Sequence, residues 1–94
     1  MTIEPIRTFV KDPNVKVDYV IDWSDFLESA DTIDASVWTV PSGLVGSDES
    51  LSDIATKIWL AGGTDGEFYD VSNKITTSDG RESERSIGII VRNL

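Results

Sequence analysis

The chain contains no histidine and no cysteine. The first absence removes the usual general base at neutral pH and the commonest metal ligand. The second removes disulfides, thiolate nucleophiles and cysteine-based zinc or iron–sulfur sites. Positive charge is also scarce, with 8 Lys and Arg against 17 Asp and Glu and a formal net charge of -9. Between Lys16 and Lys57 there is no Lys or Arg, while Asp18, Asp22, Asp25, Glu28, Asp31, Asp34, Asp48, Glu49 and Asp53 all fall there. Such a stretch repels a phosphate backbone, so nucleic acid is not an expected partner. It reads either as a solubilising surface or as a face for a basic partner or divalent cations. No apolar run approaches the roughly 18 residues of a membrane span, and the opening MTIEPIRTFVKDPN has charges where a signal peptide needs apolar residues. The expectation is a protein made in the cytoplasm, with no membrane contact, that leaves only inside a larger assembly.

What is present suffices for one small domain. A chain of 94 residues buries only roughly 60 to 65% of its unfolded surface, so its core is modest and a partner surface would help it. With 39% apolar residues and three tryptophans it can still pack one. There is no repeat, low-complexity tract or Gly/Ser linker to suggest a second domain.

Period two dominates the chain. Val15, Val17, Tyr19, Ile21 and Trp23 alternate with more polar neighbours, the mark of a strand with one buried face. SDFLESADT breaks that pattern and suits one helical turn or a loop, with Phe26 and Leu27 as apolar anchors. IDASVWTVP resumes a strand, and Pro41 followed by SGLVGSDES ends it with turn residues. LSDIATKIWLA is rich in β-branched residues and reads as one or two strands, a short helix being the alternative, and GGTDG then turns the chain. In FYDVSNKITTSDGRESERSIGIIV, two alternating runs flank Asp79-Gly80, a dipeptide suited to a hairpin turn. Gly88 marks a bulge or a close backbone approach. Short strands at this spacing, with little helix, predict an antiparallel β-sandwich.

Before these strands, MTIEPIRTFVKD carries Pro5 and has no clean period. It reads as an arm that pairs with a neighbour or as an edge strand of its own domain. Tyr69 follows GGTDGEF at a strand start, where sandwiches place a tyrosine whose hydroxyl ties down the preceding corner. Trp23, Trp38 and Trp59 all fall on strand-like runs and are expected as core or half-buried anchors rather than as a ligand platform.

Reactive groups are hard to find. Asp22 with Asp25, or Asp31 with Asp34, would be the carboxylate pairs for glycoside chemistry, but abundance alone produces such pairs. Asp65, Glu67 and Asp70 surround a Gly turn without the spacing of a calcium loop. SGLVGS and AGGTDG lack the Lys-Ser/Thr ending of a phosphate loop. Arg81 and Arg85 share a strand face, either as contacts to an acidic neighbour or as charge that discourages edge pairing. No enzyme activity, cofactor or metal is expected.

Taken together, KDPNVKVDYVIDWSDFL, DTIDASVWTV, GL and IWLAGGTDGEFYDVSNKITTSDGRESERSI resemble a family of small tailed-phage virion proteins, the phage fiber-tail adaptors. The likeness spans about Lys11 to Val91 and is carried by Lys11, Asp12, Pro13, Asp18, Tyr19, Asp22, Trp23, Trp38, Trp59, Gly62, Gly63, Tyr69, Asn73, Gly80 and Arg81. It departs at VGSDESLSDIATK, more acidic than the Thr/Ser-rich segment of the family pattern. The resemblance implies an immunoglobulin-like fold and a place in the virion, and it supplies no catalytic residues.

The expectation is thus an all-β, immunoglobulin-like antiparallel sandwich over residues 13–94, with residues 1–12 as N-terminal arm or edge strand. Tyr19, Trp23, Trp38, Trp59, Tyr69 and Val71 would form its structural core. Ile3, Ile6, Phe9, Arg81 and Arg85 would dock on other virion proteins, namely tail adaptor or tube, fibers or capsid. The protein would act as a multicopy, non-enzymatic adaptor between tail fibers and tail. A capsid cement protein and a carbohydrate-binding adhesion module are the alternatives.

Overall fold

Alternation settles most of the strands in the computed structural model, which describes residues 5–94. In β6 (Phe68–Thr77), Tyr69, Val71, Asn73, Ile75 and Thr77 point inward while the residues between them face solvent or the rim. β5 (Ala55–Gly62) repeats the pattern with Thr56, Ile58 and Leu60 inside, and β2 (Val17–Asp22) does so with Tyr19 and Ile21. β7 (Glu82–Val91) returns from the Asp79-Gly80 turn and carries Ile87, Ile89 and Val91 into the core. β1 (Pro5–Lys11), β3 (Ile33–Thr39) and β4 (Leu44–Leu51) complete seven strands, with no helix among the described residues.

The strands form two sheets, ordered β1-β7-β6-β3 and β2-β5-β4. Every pair is antiparallel except β1 with β7, which run parallel. The two inner faces meet in a core of Ile, Val, Leu and aromatic side chains, many of them fully buried. Burying each such side chain contributes about 1.5–3 kcal/mol before chain entropy is counted.

Pro5–Lys11 is therefore an edge strand of its own domain, which starts before residue 13. Met1–Glu4, and with them Ile3, lie outside the described residues. SGLVGSDES is not simply a turn, because Leu44 opens β4 and the strand continues through the acidic stretch to Leu51. Only Leu44 of that strand is buried, so no alternating pattern betrays it; pairing with β5 makes the strand. The 23–32 segment is the loop or single turn expected, with Leu27 N–H donating to the Trp23 carbonyl at 3.2 Å.

Trp59 differs from the expectation. Thr56, Ile58 and Leu60 take the inner face of β5, so period two sends Trp59 outward, where Lys57 and Lys16 lie 5.3 and 5.6 Å from its ring centroid. It is half-buried on the outer face of the smaller sheet and is not part of the buried core.

Candidate docking surface and the interior behind it

A polar bridge joins the two sheets inside the core. The Trp23 indole N–H is shared between Asn73 Oδ1 at 3.1 Å and Thr56 Oγ1 at 3.2 Å, and the Thr56 hydroxyl donates to Asn73 Oδ1 at 2.7 Å. Asn73 Nδ2 in turn donates to Ser36 Oγ and to the Val37 carbonyl. Trp23, Thr56 and Asn73 are each fully buried, so unpaired they would be costly. Thr56 was invisible to sequence reasoning because a lone polar residue in a strand looks like an outward position.

Arg81 and Arg85 are engaged within the chain. Arg85 grips Asp25 with both Nη atoms at 2.9 Å, donates to the Asp22 carbonyl, and lies over the Trp23 ring at 4.4 Å. Arg81 lies over Phe26 at 4.3 Å and donates to the Phe26 carbonyl. Trp23 and Phe26 meet edge to face, so the arginines and rings fasten the 23–31 loop to the last hairpin. A docking role for these arginines is not needed to explain them.

Three of the four paired carboxylates are likewise absorbed by structure, and Asp34 stands exposed on β3. Arg85 holds the Asp25 carboxyl below its ordinary pKa, and the Ser24 N–H does the same for Asp22. Asp31 is buried, with Oδ1 accepting from the Ser78 hydroxyl at 2.6 Å and from the Thr32 and Asp79 N–H groups. Those bonds, Ser78 foremost, depress its pKa, while Oδ2 has no hydrogen bond and lies 3.8 Å from Arg81. Asp65 Oδ1 accepts from the Asn93 N–H. Among the described residues, no group of three or more acidic side chains is placed to hold a metal ion.

One end of the sandwich is closed by Lys11 and Tyr69. The Lys11 side chain is buried, with Nζ donating to the Gly62 carbonyl at 2.7 Å and the Asp12 carbonyl at 2.9 Å, so it ties β1 to the far sheet. Burial lowers its pKa. Asp12 accepts from the N–H groups of Asn14 and Leu94, gathering both chain ends. The Tyr69 hydroxyl accepts from the Thr64 N–H at 3.0 Å, the corner tie expected of it, and its ring fills the space over Gly43, whose φ of 108° excludes most other residues.

Exposed apolar groups are spread over the surface, and three of them, Ile6, Val10 and Phe68, lie on β1 and the sheet beside it. Val10 pairs with Ile90, and Ile90 with Phe68, so the three form a row across the outer face of the larger sheet. Val10 and Phe68 are about half exposed, as is Ile6 at the start of β1. The Phe68 ring lies over Gly88, where a Cβ would come within 2.8 Å of it, so Gly88 provides close approach. Phe9 turns inward against Tyr19, with ring centroids 4.9 Å apart, and the Arg7 guanidinium lies 4.9 Å from the centre of its ring.

With this geometry in view, comparisons with known proteins place the chain. Residues 11–90 match the family model described as podophage GP4 fiber-tail adaptor protein gp77, and the chain belongs to that family. No curated protein matches it. Among solved structures, the PKD domain of the KIAA 1837 protein is similar with a TM-score of 0.61 at 14% identity, covering 98% of this chain and 84% of that one. The fold is thus an all-β, immunoglobulin-like sandwich. The family makes it a structural adaptor of the phage virion with other virion proteins as partners.

Proposed function

We propose that the protein is a non-enzymatic adaptor, present in several copies per particle, that joins tail fibers to the tail and is assembled in the host cytoplasm. Family membership carries this reading. It is supported by Asp22, Asp25 and Asp31, three of the four carboxylates weighed for catalysis, which serve instead to fasten loops. Docking runs through the N-terminal edge, with Ile6 and Val10 as its exposed apolar groups and Ile3 preceding them. Phe9, expected as an anchor, instead packs inward against Tyr19, because period two puts it on the core face of β1. The loops add contacts around it.

An adhesion module would need exposed tryptophans on one face. Trp23 and Trp38 are buried, and Trp59 lies beside two lysine ammonium groups. A cement protein would clamp capsid subunits with the same fold. Particles assembled without this protein decide between the roles: the adaptor reading expects filled heads with tails that lack fibers. Particles with a normal fiber complement and unstable heads would overturn it.

A further inference from the structure

We infer that the free edge of β1 receives an extended segment of a different virion protein as an added strand of the larger sheet. The inference rests on the adaptor reading and specifies where and how the partner binds. A sandwich has four strand edges, and unpaired edges invite strand addition unless bulges or charges prevent it. Here they are unequally protected.

On one side, β3 and β4 are both blocked. β3 breaks register between Ile33 and Ala35 and carries Asp34 at the break. β4 breaks between Ser47 and Ser50, with Asp48 held at a φ of 52° and Glu49 beside it. On the other side, β2 pairs without a break but presents Asp18 and Asp22. β1 alone among the edge strands has no carboxylate, and its own register break, between Pro5 and Thr8, falls at its start and leaves Thr8 to Lys11 in regular pairing with β7.

The backbone of β1 has groups to offer. Arg92 N–H donates to the Lys11 carbonyl, so Lys11 and Phe9 turn their main-chain groups toward β7. In a strand the alternate residues then point the other way, leaving the N–H and C=O of Thr8 and Val10 on the open edge. The Val10–Ile90–Phe68 row supplies apolar area that an added strand would continue.

Charge states the partner. Lys16, Lys57, Lys74, Arg81 and Arg85 all pair with carboxylates, and Lys11 is buried. Arg7 on β1 and Arg92 just beyond β7 have no ion pair among the described residues. The added segment therefore carries a carboxylate beside Arg7 and an apolar side chain beside Val10. A second β1 would bring Arg7 without any carboxylate, which argues against self-pairing of this edge.

The test uses phage encoding Val10→Pro, Val10→Ala, Arg7→Glu and, on the blocked side, Val37→Asp, with the amount of this protein in purified particles as the readout. Proline is tolerated on an edge but removes the outward N–H, so Val10→Pro should fall about tenfold in incorporation. Val10→Ala, which keeps the N–H and trims the apolar contact, should fall less than Val10→Pro, Val37→Asp should stay near wild type, and urea melts of the purified variants report folding. Normal incorporation of Val10→Pro overturns the inference. If Val10→Pro does not fold, Arg7→Glu decides, a clear loss supporting the proposal and normal incorporation overturning it. Sedimentation of the wild-type protein alone should show monomer; oligomers dissolved by Arg7→Glu would replace the foreign strand with a second copy and overturn it too. Absence of even the wild-type protein from particles would instead sink the adaptor reading itself.

Discussion

The Trp23 indole N–H lies 3.1 Å from Asn73 Oδ1, a bond that crosses from the smaller sheet to the larger through the middle of the core. Because Thr56 and Ser36 also depend on Asn73, its removal strands several buried polar groups at once. Asn73→Ala is expected to cost about 2–3 kcal/mol, read as a lowered urea midpoint.

The tryptophans should differ under the same substitution. Trp23→Phe loses two acceptors, whereas Trp38 has an indole N–H without a hydrogen-bond partner and Trp38→Phe loses none. Urea melts should therefore find Trp23→Phe the more damaging by about 1–2 kcal/mol. Equal losses would mean that ring volume, not the polar bridge, governs both sites.

At the opposite end of the core, Tyr69→Phe should cost about 1 kcal/mol through the lost tie to Thr64. Gly43→Ala should cost more, since its positive φ is strained for alanine and its Cβ would come within 2.9 Å of the Tyr69 hydroxyl. Chemical denaturation of the two variants checks the order.

Acid should loosen the last hairpin through Asp31. The Ser78 hydroxyl and neighbouring N–H groups hold its folded pKa below that of an ordinary aspartate, so its contribution is full above the ordinary value and is lost as pH falls through the lower folded one. Asp31→Asn should flatten the acid limb of the stability curve while lowering stability at neutral pH. Melting temperatures from pH 7 to pH 2 measure both.

Much of this architecture could be read in the chain, and the exceptions have physical causes. β2, β6 and β7 announce themselves because one face is buried along their length. β4 does not, because it is an exposed edge whose acidic, bulged half follows no alternation, so its sequence looks like a turn. The parallel pairing of β1 with β7 joins the two ends of the chain, and no local pattern encodes it. Lys11 looks like a surface charge until the Gly62 carbonyl is brought to it. Arg81 and Arg85 were legible as a pair on one face, but their partners lie in a loop more than fifty residues earlier.

The most direct test of the adaptor account is gold-labelled antibody against this protein on intact particles in the electron microscope. The account predicts several gold particles around the tail where the fibers attach. Label spread over the head, or none on intact or disrupted particles, would contradict it.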